Sequence, residues 1–266
     1  MKWLIGIVLI GCYISVTIET AADDFLYYDL EFTLKSCLKQ GRVDYELLDQ
    51  NKHILYKFLN DVASVPEKRY KQWSRNEKLA FWINLYNVFS LSLHLKNPYA
   101  SHIKEIRERP SMKVFTVFGK KISLNEIKHT YIRGMFNDER IHFAVVGPAR
   151  GFPRFRDEAY LGRYINLQLE EDVFRFVTDE QNVKIDQENK KIYLSKLFKW
   201  FGVDFVHRYS TDNEELMKFN VRERAVLNFL SSYLPKRRDF ILSGRYTIEY
   251  PEFDWTLNRI EKTDEE

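Results

Sequence analysis

Two histidines are the side chains of this chain best suited to proton transfer, because an imidazole titrates near neutral pH. His142 lies shortly before a loop, 147–156, that holds two glycines and two prolines. His129 precedes Arg133 by four residues, so the two side chains share one face of a predicted helix. We treat His142 and His129 as candidate catalytic residues. The competing interpretation of His142 is structural: a hydrogen bond to a neighbouring carbonyl or to a buried asparagine.

Two asparagines lie about one helical turn apart inside an apolar segment. These are Asn84 and Asn87, in the sequence FWINLYN. A buried amide that lacks a hydrogen bond costs about 1–3 kcal/mol, so each must have a partner. One interpretation makes them catalytic groups that orient a histidine or stabilise an oxyanion. The other, which we favour, makes them struts between a central helix and loop backbone, because struts explain the pair with or without catalysis.

Four arginines are candidates for binding an anion, since the guanidinium fork matches carboxylate and phosphate groups. They are Arg133, Arg150, Arg154 and Arg156. Acidic residues at 138–139 and 157–158 stand close to them in sequence and favour a salt-bridged, solvated surface instead. We retain both interpretations, an anionic ligand or partner on the one hand and surface ion pairs on the other.

Thiol, metal and nucleotide chemistry have little support in the sequence. The only cysteines are Cys12, near the N-terminus, and Cys37, on the apolar face that also carries Leu30 and Leu34. Burial of a small side chain is therefore the simplest interpretation of Cys37. Since the chain has no metal-ligand spacing and no phosphate-binding glycine motif, we expect no metal and no cofactor.

The elements that must position these residues are mostly helical. Apolar spacing and capping signals predict helices at 25–40, 45–62, 77–95, 123–135, 158–178, 196–201 and 222–234. The 77–95 helix is apolar on all sides, which predicts a buried central helix. Hairpins are expected at 113–122 and 183–194, and short strands at 141–146 and 246–250. The fold class is therefore α+β: a mostly helical single domain with a buried central helix and a small, mainly antiparallel β-sheet.

Composition excludes several other classes of protein. The chain has 266 residues, 45% of them hydrophobic and 30% charged, which excludes a disordered or fibrous protein. Its net charge of +3 is too small to indicate nucleic-acid binding. We therefore expect a globular protein that does not bind nucleic acid.

The N-terminus has the pattern of a targeting segment. Lys2 precedes an apolar run from Trp3 to Val16, and small residues at 20–22 come before Asp23. This pattern predicts a secretory signal at 1–22, with a mature domain at 23–266. A lipoprotein signal that ends before Cys12, with lipid on that cysteine, is one alternative, and an uncleaved membrane anchor is another. Each places the folded part in the cell envelope or outside the cell, with membrane contact only through the N-terminal segment.

Six segments in chain order carry a family resemblance. They are GRVDYELL (41–48), NEKLAFWINLYNVFSL (76–91), ISLNEIKHTYIRG (122–134), DERIHFAVV with its loop (138–155), LSKLFKWFGVDF (194–205) and FDWTLN (253–258). Together they resemble the DUF547 family, a domain of unknown function. The resemblance covers a core at about 26–258. It implies a comparison with papain-like thiol enzymes, because the family's loop after the HFAL-type segment carries two cysteines.

This chain departs from the family pattern where a thiol would act. The two cysteine positions correspond to Gly147 and Phe152, while the following Pro153 matches the family. The family's Ile-Glu-His triplet is here Ile-Lys-His, with Lys128 in place of the carboxylate. We therefore expect an exported, catalytically degenerate protein that acts by binding a ligand or partner. The alternative is a hydrolase or acyl-transfer enzyme that uses His142 and His129 without the family cysteine.

Overall fold

The computed structural model of this protein describes residues 22–97 and 100–260. The signal predicted at 1–22, with its candidate lipidation site Cys12, thus lies outside the described residues apart from Ala22. Within the described part of the chain, none of the helices has the length and apolar character needed to cross a membrane.

Helices account for most of the described residues, which confirms the mostly helical α+β class. The α-helices are α1 (Ala22–Cys37), α2 (Tyr45–Gln50), α3 (Lys52–Ser64), α4 (Glu67–Gln72), α5 (Arg75–Leu95), α6 (Leu124–Glu126), α7 (Gly134–Phe136), α8 (Ile165–Thr178), α9 (Lys196–Phe201), α10 (Val206–Tyr209), α11 (Val221–Tyr233) and α12 (Arg238–Leu242). A π-helix, Ile127–Arg133, joins α6 to α7. Shorter 3-10 turns occur at Ile103–Glu105, Glu139–Phe143, Gly202–Phe205, Glu214–Leu216 and Pro235–Arg237.

The strands are short and form small sheets. They are β1 (Leu38–Lys39), β2 (Arg42–Val43), β3 (Phe115–Val117), β4 (Lys120–Ile122), β5 (Val183–Asp186), β6 (Lys191–Leu194) and β7 (Thr247–Glu249). Three antiparallel hairpins pair β1 with β2, β3 with β4, and β5 with β6. Strand β7 joins β6 in parallel, with Ile192 opposite Ile248, and completes a three-stranded sheet.

Local capping chemistry places several of the helix starts as predicted. Ser123 and Glu126 form a reciprocal capping box before α6. The Ser74 hydroxyl accepts from the Glu77 backbone at the start of α5, and the Ser195 hydroxyl accepts from Leu197 at the start of α9. These caps satisfy backbone donors that the first helical turn leaves free.

The predicted strand at 141–146 is wrong. Residues Glu139–Phe143 form a 3-10 turn that begins where Asp138 accepts a hydrogen bond from the backbone of Arg140. The apolar run is buried, as a core strand would be. The side-chain cap at its start begins a 3-10 turn instead of an extended strand. A short apolar run cannot distinguish these two conformations by its periodicity.

Three helix boundaries also differ from the prediction. The predicted 45–62 helix is two helices, because Asn51 ends α2 and precedes α3. Helix α1 ends at Cys37 instead of position 40, since the backbone turns through positive φ angles at Gln40 and Gly41 to form the β1–β2 hairpin. Helix α8 begins at Ile165 instead of 158.

The central helix α5 is buried, as predicted. Phe81, Ile83, Leu85 and Val88 are inaccessible to solvent, and Trp82 is nearly so. The indole of Trp82 donates to the Tyr70 hydroxyl at 2.8 Å, so its one polar atom is satisfied.

The core consists of two hydrophobic clusters. The first is built on α1 to α7 and α5 in particular, and the second on α8, α9, α11 and the three-stranded sheet. Phe152 packs against both clusters. The π-helix contributes Ile127 and Ile132 to the first cluster, whereas Phe198 and Phe205 belong to the second. The polar side chains that the π-helix and the 202–205 turn carry therefore meet where the two clusters join.

Candidate functional site

Asp204 is the centre of a polar cluster at this junction. Its Oδ2 accepts from His142 Nε2 at 2.7 Å and from Arg133 Nε at 2.7 Å, and its Oδ1 accepts from Arg133 Nη2 at 2.8 Å. Burial alone would raise the pKa of this carboxyl. The hydrogen bonds from His142 and Arg133 outweigh burial and hold the pKa well below its usual range. Asp204 is therefore an ionised acceptor that binds a histidine and an arginine together.

The protonation state of His142 follows from this geometry. Its side chain is 3% exposed, and burial, helped by the nearby cations of Lys128 and Arg133, lowers the pKa of the imidazole to about 4. The ring is thus neutral near pH 7, and Nε2 must carry the proton because the ionised Asp204 can only accept. The other nitrogen, Nδ1, is unprotonated and buried. Its lone pair accepts no hydrogen bond from the described residues.

Arg133 connects His129 to the same carboxylate. Its Nη1 lies 2.9 Å from His129 Nδ1, so that nitrogen accepts and His129 is neutral in this arrangement. Partial burial and the charges of Arg133 and Lys128 lower the pKa of His129. The structure therefore brings His142 and Arg133 onto one carboxylate that was not among the predicted site residues, and His129 joins this group only through Arg133.

The π-helix explains how one short segment supplies three of these groups. In a π-helix the backbone bonds join residues i and i+5, so Lys128 and Arg133 lie one turn apart on the same side as His129. Wide turns of this kind are rare and frequently occur at functional sites. The segment from 128 to 133 therefore directs its cationic groups toward the 202–205 turn.

Lys128 is a buried cation in this cluster. Its side chain is 8% exposed, and its ammonium lies 4.5 Å from the ring centre of Phe201 and 5.8 Å from that of Phe152. Burial, and then repulsion by Arg133, lowers the pKa of Lys128 to about 8. In the part of the chain that the structure describes, the ammonium forms no ion pair within 4 Å. Aromatic faces therefore replace the carboxylate that a buried ammonium would normally require.

The aromatic ring of Phe201 packs against several members of this cluster. Its ring lies 4.2 Å from the His142 ring at an interplanar angle of 14°. The Arg133 guanidinium lies 5.2 Å from the centre of the same ring. Since Lys128 also lies over it, one aromatic side chain contacts the histidine and both cations.

The two positions that correspond to the family cysteines touch each other. A Cβ atom at Gly147 would lie 2.5 Å from both Cδ2 and Cε2 of Phe152. Atoms cannot approach so closely, so the Phe152 ring occupies the space that any side chain at 147 would need. Phe152 also packs edge-on against Phe253 at 5.0 Å and lies under the Lys128 ammonium. An aromatic ring and a lysine thus fill the region where the resemblance implies a thiol and a carboxylate.

Cys37 lies elsewhere and has the properties of a core residue. It is inaccessible to solvent at the end of α1, and burial raises the pKa of its thiol to about 12. A thiol with that pKa is almost entirely protonated near neutral pH and is a poor nucleophile.

The two asparagines pair with loop backbone. Asn84 donates to the carbonyl of Tyr160 and accepts from its N–H, both at 2.8 Å. Asn87 donates to Ala144 O and accepts from Val146 N, both at 2.9 Å. Each amide therefore fixes a chain segment to α5. Asn87 holds the backbone that directly follows the 139–143 turn and so helps to fix the position of His142.

The three loop arginines bind separate partners. Arg156 lies against Glu158, Glu171 and Asp172 at 2.5–3.4 Å. Arg154 donates to Asp179 at 3.2 Å, and Arg150 donates to the carbonyls of Leu257 and Arg259. They are thus not brought onto one surface with Arg133, which pairs with Asp204.

The sequence analysis missed Asp204 and Phe201 as site residues and treated Lys128 only as a departure from the family. Asp204 is 62 positions from His142. The one local signal was a lone acidic residue inside the apolar segment KWFGVDF. Among the residues 22–97 and 100–260, no three His, Cys, Asp or Glu side chains are grouped so that they could hold a metal ion.

Comparison with known families gives one match. Residues 70–177 match the family described as "Protein of unknown function, DUF547". No curated protein and no solved structure matches the chain. The matched range contains Lys128, His129, Arg133 and His142, whereas Asp204 and Phe201 lie beyond its end. The central carboxylate of the polar cluster, and the aromatic ring against which the cluster packs, are therefore contributed by a part of the chain that the match does not include.

Proposed function

We propose that this protein, whose residues 70–177 match the DUF547 family, is an exported, catalytically degenerate DUF547 protein that acts by binding a ligand or partner. The single observation that supports loss of thiol catalysis is the contact between Phe152 and Gly147. A thiol mechanism needs a thiolate next to a base. The base, His142, is held by Asp204, but the position for a nucleophile is filled by a ring.

The cations near His142 also favour binding over acid–base catalysis. A general base works best when its pKa lies near the working pH. Burial and the charges of Lys128 and Arg133 lower the pKa of His142 to about 4, which makes it a weak base at pH 7. The Phe201 ring stacks on one face of the imidazole and restricts access to it.

The proposed export rests on the sequence of the first 22 residues. A charged start, an apolar run and small residues before Asp23 are the features that signal peptidase recognises. Intact-mass analysis of the exported protein is expected to give a chain that begins at Asp23. A lipidated Cys12 would still mean that the protein is exported, with lipid attached at Cys12 instead of cleavage after Ala22. A cytosolic protein that retains residues 1–22 would contradict export.

A second function is favoured by one specific observation. The buried lone pair on His142 Nδ1 has no partner among the described residues, and the Nε2 atom is fixed by an ionised carboxylate. This is the arrangement in which an aspartate orients a histidine for proton abstraction. A hydrolase or acyl-transfer enzyme that activates a water or a substrate hydroxyl through His142, with His129 nearby, is therefore the alternative.

One set of assays separates the two functions. We would measure p-nitrophenyl acetate hydrolysis and iodoacetamide labelling with the wild-type protein, His142→Ala and Cys37→Ser. Degenerate catalysis predicts equal, background-level hydrolysis for all three proteins, and slow labelling of Cys37 that accelerates only on unfolding. Hydrolysis that His142→Ala abolishes, with the circular dichroism spectrum unchanged, would establish the hydrolase. Hydrolysis that Cys37→Ser abolishes would show that the protein is a thiol enzyme.

A further inference from the structure

A cavity of about 440 Å³ borders the 147–156 loop at Arg150 and Gly151, and none of the residues of the His142 cluster line it. Its walls come from the β1–β2 hairpin, the loop, the β5–β6 hairpin and the segment 251–254. The residues that line it include Arg42, Arg150, Asn182, Tyr193, Ser195 and Phe253. The cavity is large enough for a small organic molecule.

Arg42 is the unusual group in this cavity. It is half-buried, and its Nη1 donates to the backbone carbonyl of Arg150 at 3.3 Å. Within the described part of the chain, no carboxylate lies within 4 Å of its guanidinium. Burial, and then the charges of Arg154 and Arg150, lower the pKa of Arg42. Burial and neighbouring positive charge make this guanidinium electrostatically unfavourable, and an anion bound beside it in the cavity would relieve that cost.

The carboxylates near Arg42 are already engaged. Asp179 accepts from Arg154 at 3.2 Å, and Asp254 accepts from the backbone and hydroxyl of Thr256 at 2.9 and 2.5 Å. On the cavity rim, Glu252 accepts from Lys196 at 2.8 Å. These acids lie beyond ion-pair distance of Arg42, so Nε and Nη2 of the guanidinium, which form no hydrogen bond with the described residues, are the atoms that a ligand can bind, while Nη1 donates to Arg150 O.

The backbone on either side holds Arg42 in place. Gly41 has φ +73°, and a Cβ atom there would lie 2.5 Å from Arg154 Cβ, so only glycine fits against the loop. The Gly41 carbonyl accepts from Phe155 N at 3.2 Å, and Val43 N donates to Asn258 O at 2.9 Å. A guanidinium on a fixed backbone loses less entropy on binding than one on a mobile loop.

We propose that this cavity binds a small organic anion through the Arg42 guanidinium, with a carboxylate or phosphate group as the part recognised. The inference rests on the proposed ligand-binding role and names its site and ligand class. The guanidinium fork forms two parallel bonds with either group. Asn182 and Ser195 add neutral hydrogen-bonding groups, and Tyr193 and Phe253 add apolar wall.

The acidic residues of the cavity limit the size of the ligand. Glu180, Glu252 and Asp254 line it together with the cations Arg150, Lys184 and Lys196, so a long polyanion would meet repulsion from three carboxylates wherever it approached these cations. A compact ligand with one anionic head can reach Arg42 without approaching all three. We therefore expect binding of small anions and no binding of heparin.

The test is titration calorimetry of the full chain at constant ionic strength with inorganic phosphate, malonate and heparin as probes. Constant ionic strength removes differences that come from charge screening. The variants are Arg42→Gln, which removes the charge, and Arg42→Lys, which keeps the charge and removes the fork. Arg69→Gln, an exposed arginine on α4, is the matched control.

Phosphate or malonate is expected to bind the wild-type protein and Arg69→Gln equally. Arg42→Gln should weaken binding at least tenfold, and Arg42→Lys by an intermediate factor. Stronger binding of phosphate than of malonate, or the reverse, assigns the head group. Lack of binding by both anions, equal binding by Arg42→Gln, or tight binding of heparin would each overturn the inference. Such a failure leaves the hydrolysis assays unaffected, and hydrolysis that depends on His142 would overturn the proposed function without changing anion binding.

Discussion

Two regions that border the 147–156 loop, one around Asp204 and one around Arg42, hold cations in different ways. Around Asp204 the structure is closed: His142 and Arg133 share one carboxylate, and aromatic faces cover Lys128. Around Arg42 it is open: a half-buried guanidinium lines a cavity and lacks a carboxylate within 4 Å among the described residues. The closed cluster supplies a carboxylate for Arg133 and aromatic faces for Lys128 from within the protein. The open one has space for an acceptor from outside.

The loop itself contributes differently to these two regions. Phe152 packs against both hydrophobic clusters and lies in the closed region, where it fills the space beside Gly147. The neighbouring residue Gly151 lines the open cavity. The same loop therefore closes one site with a side chain and borders another with its backbone.

The largest effect is expected from Asp204→Ala. Removal of this carboxylate leaves Arg133 and His142 without their common acceptor in a partly buried place, and breaking such a pair costs about 3–5 kcal/mol. Urea denaturation at pH 7 measures the loss. Asp212→Ala, at an exposed aspartate, is the matched control and should change stability by less than about 0.5 kcal/mol. Equal stability of the two variants would show that the closed cluster contributes nothing to folding.

The next effect is a pH dependence carried by His142. Its pKa is about 4 in the folded protein against an ordinary 6.5, so between these values the unfolded chain binds a proton that the folded chain resists. Stability from this group is complete above pH 6.5 and falls by about 3 kcal/mol as the pH drops to 4.

The measurement is urea denaturation from pH 4 to 7 for the wild-type protein and His142→Gln. The variant should lose less stability over this range, by about the same 3 kcal/mol. His53→Gln, at an exposed histidine of α3, should follow the wild-type profile. Parallel profiles for His142→Gln and the wild-type protein would mean that His142 is not held neutral.

Lys128→Met should stabilise the protein. The pKa of Lys128 is about 8 in the folded state against an ordinary 10.5, so below pH 8 its charge costs about 3 kcal/mol, of which the contacts with Phe201 and Phe152 return a part. We expect a gain of about 2 kcal/mol at pH 7 that shrinks as the pH rises from 8 to 10.5. Lys121→Met, at an exposed lysine, should give no such gain. A loss of stability in Lys128→Met would show that the aromatic faces fully compensate the buried charge.

The smallest change in stability is expected for Arg42→Gln, at most about 0.5 kcal/mol, because Arg42 forms no ion pair with any of the described residues. Arg156 is the matched comparison. Its side chain contacts three carboxylates, and Arg156→Gln should cost about 3 kcal/mol. Thermal denaturation of both variants measures the difference. A large loss in Arg42→Gln would place Arg42 in the framework of the fold and remove the contrast between the two regions.

Elements with local causes were predictable from the sequence. The caps at Ser74, Ser123 and Ser195 form within a few residues, and the all-round apolar character of α5 predicts its burial wherever the rest of the chain packs. The family resemblance is confirmed over residues 70–177, which contain the FWINLYN segment. The strand predicted at 141–146 failed because an apolar run reports burial and leaves the backbone conformation undetermined.

For the polar residues, the sequence determined candidates, and tertiary structure decided their partners. His142, His129 and Arg133 were identifiable from residue type and spacing, but Asp204 joins them only because the two hydrophobic clusters pack together there. The same packing buries Lys128 and leaves Arg42 beside a cavity. Whether a charged side chain destabilises the fold or can bind a ligand depends on the groups that surround it after folding. Pairs more than 60 positions apart, such as His142 and Asp204, have no local sequence signal.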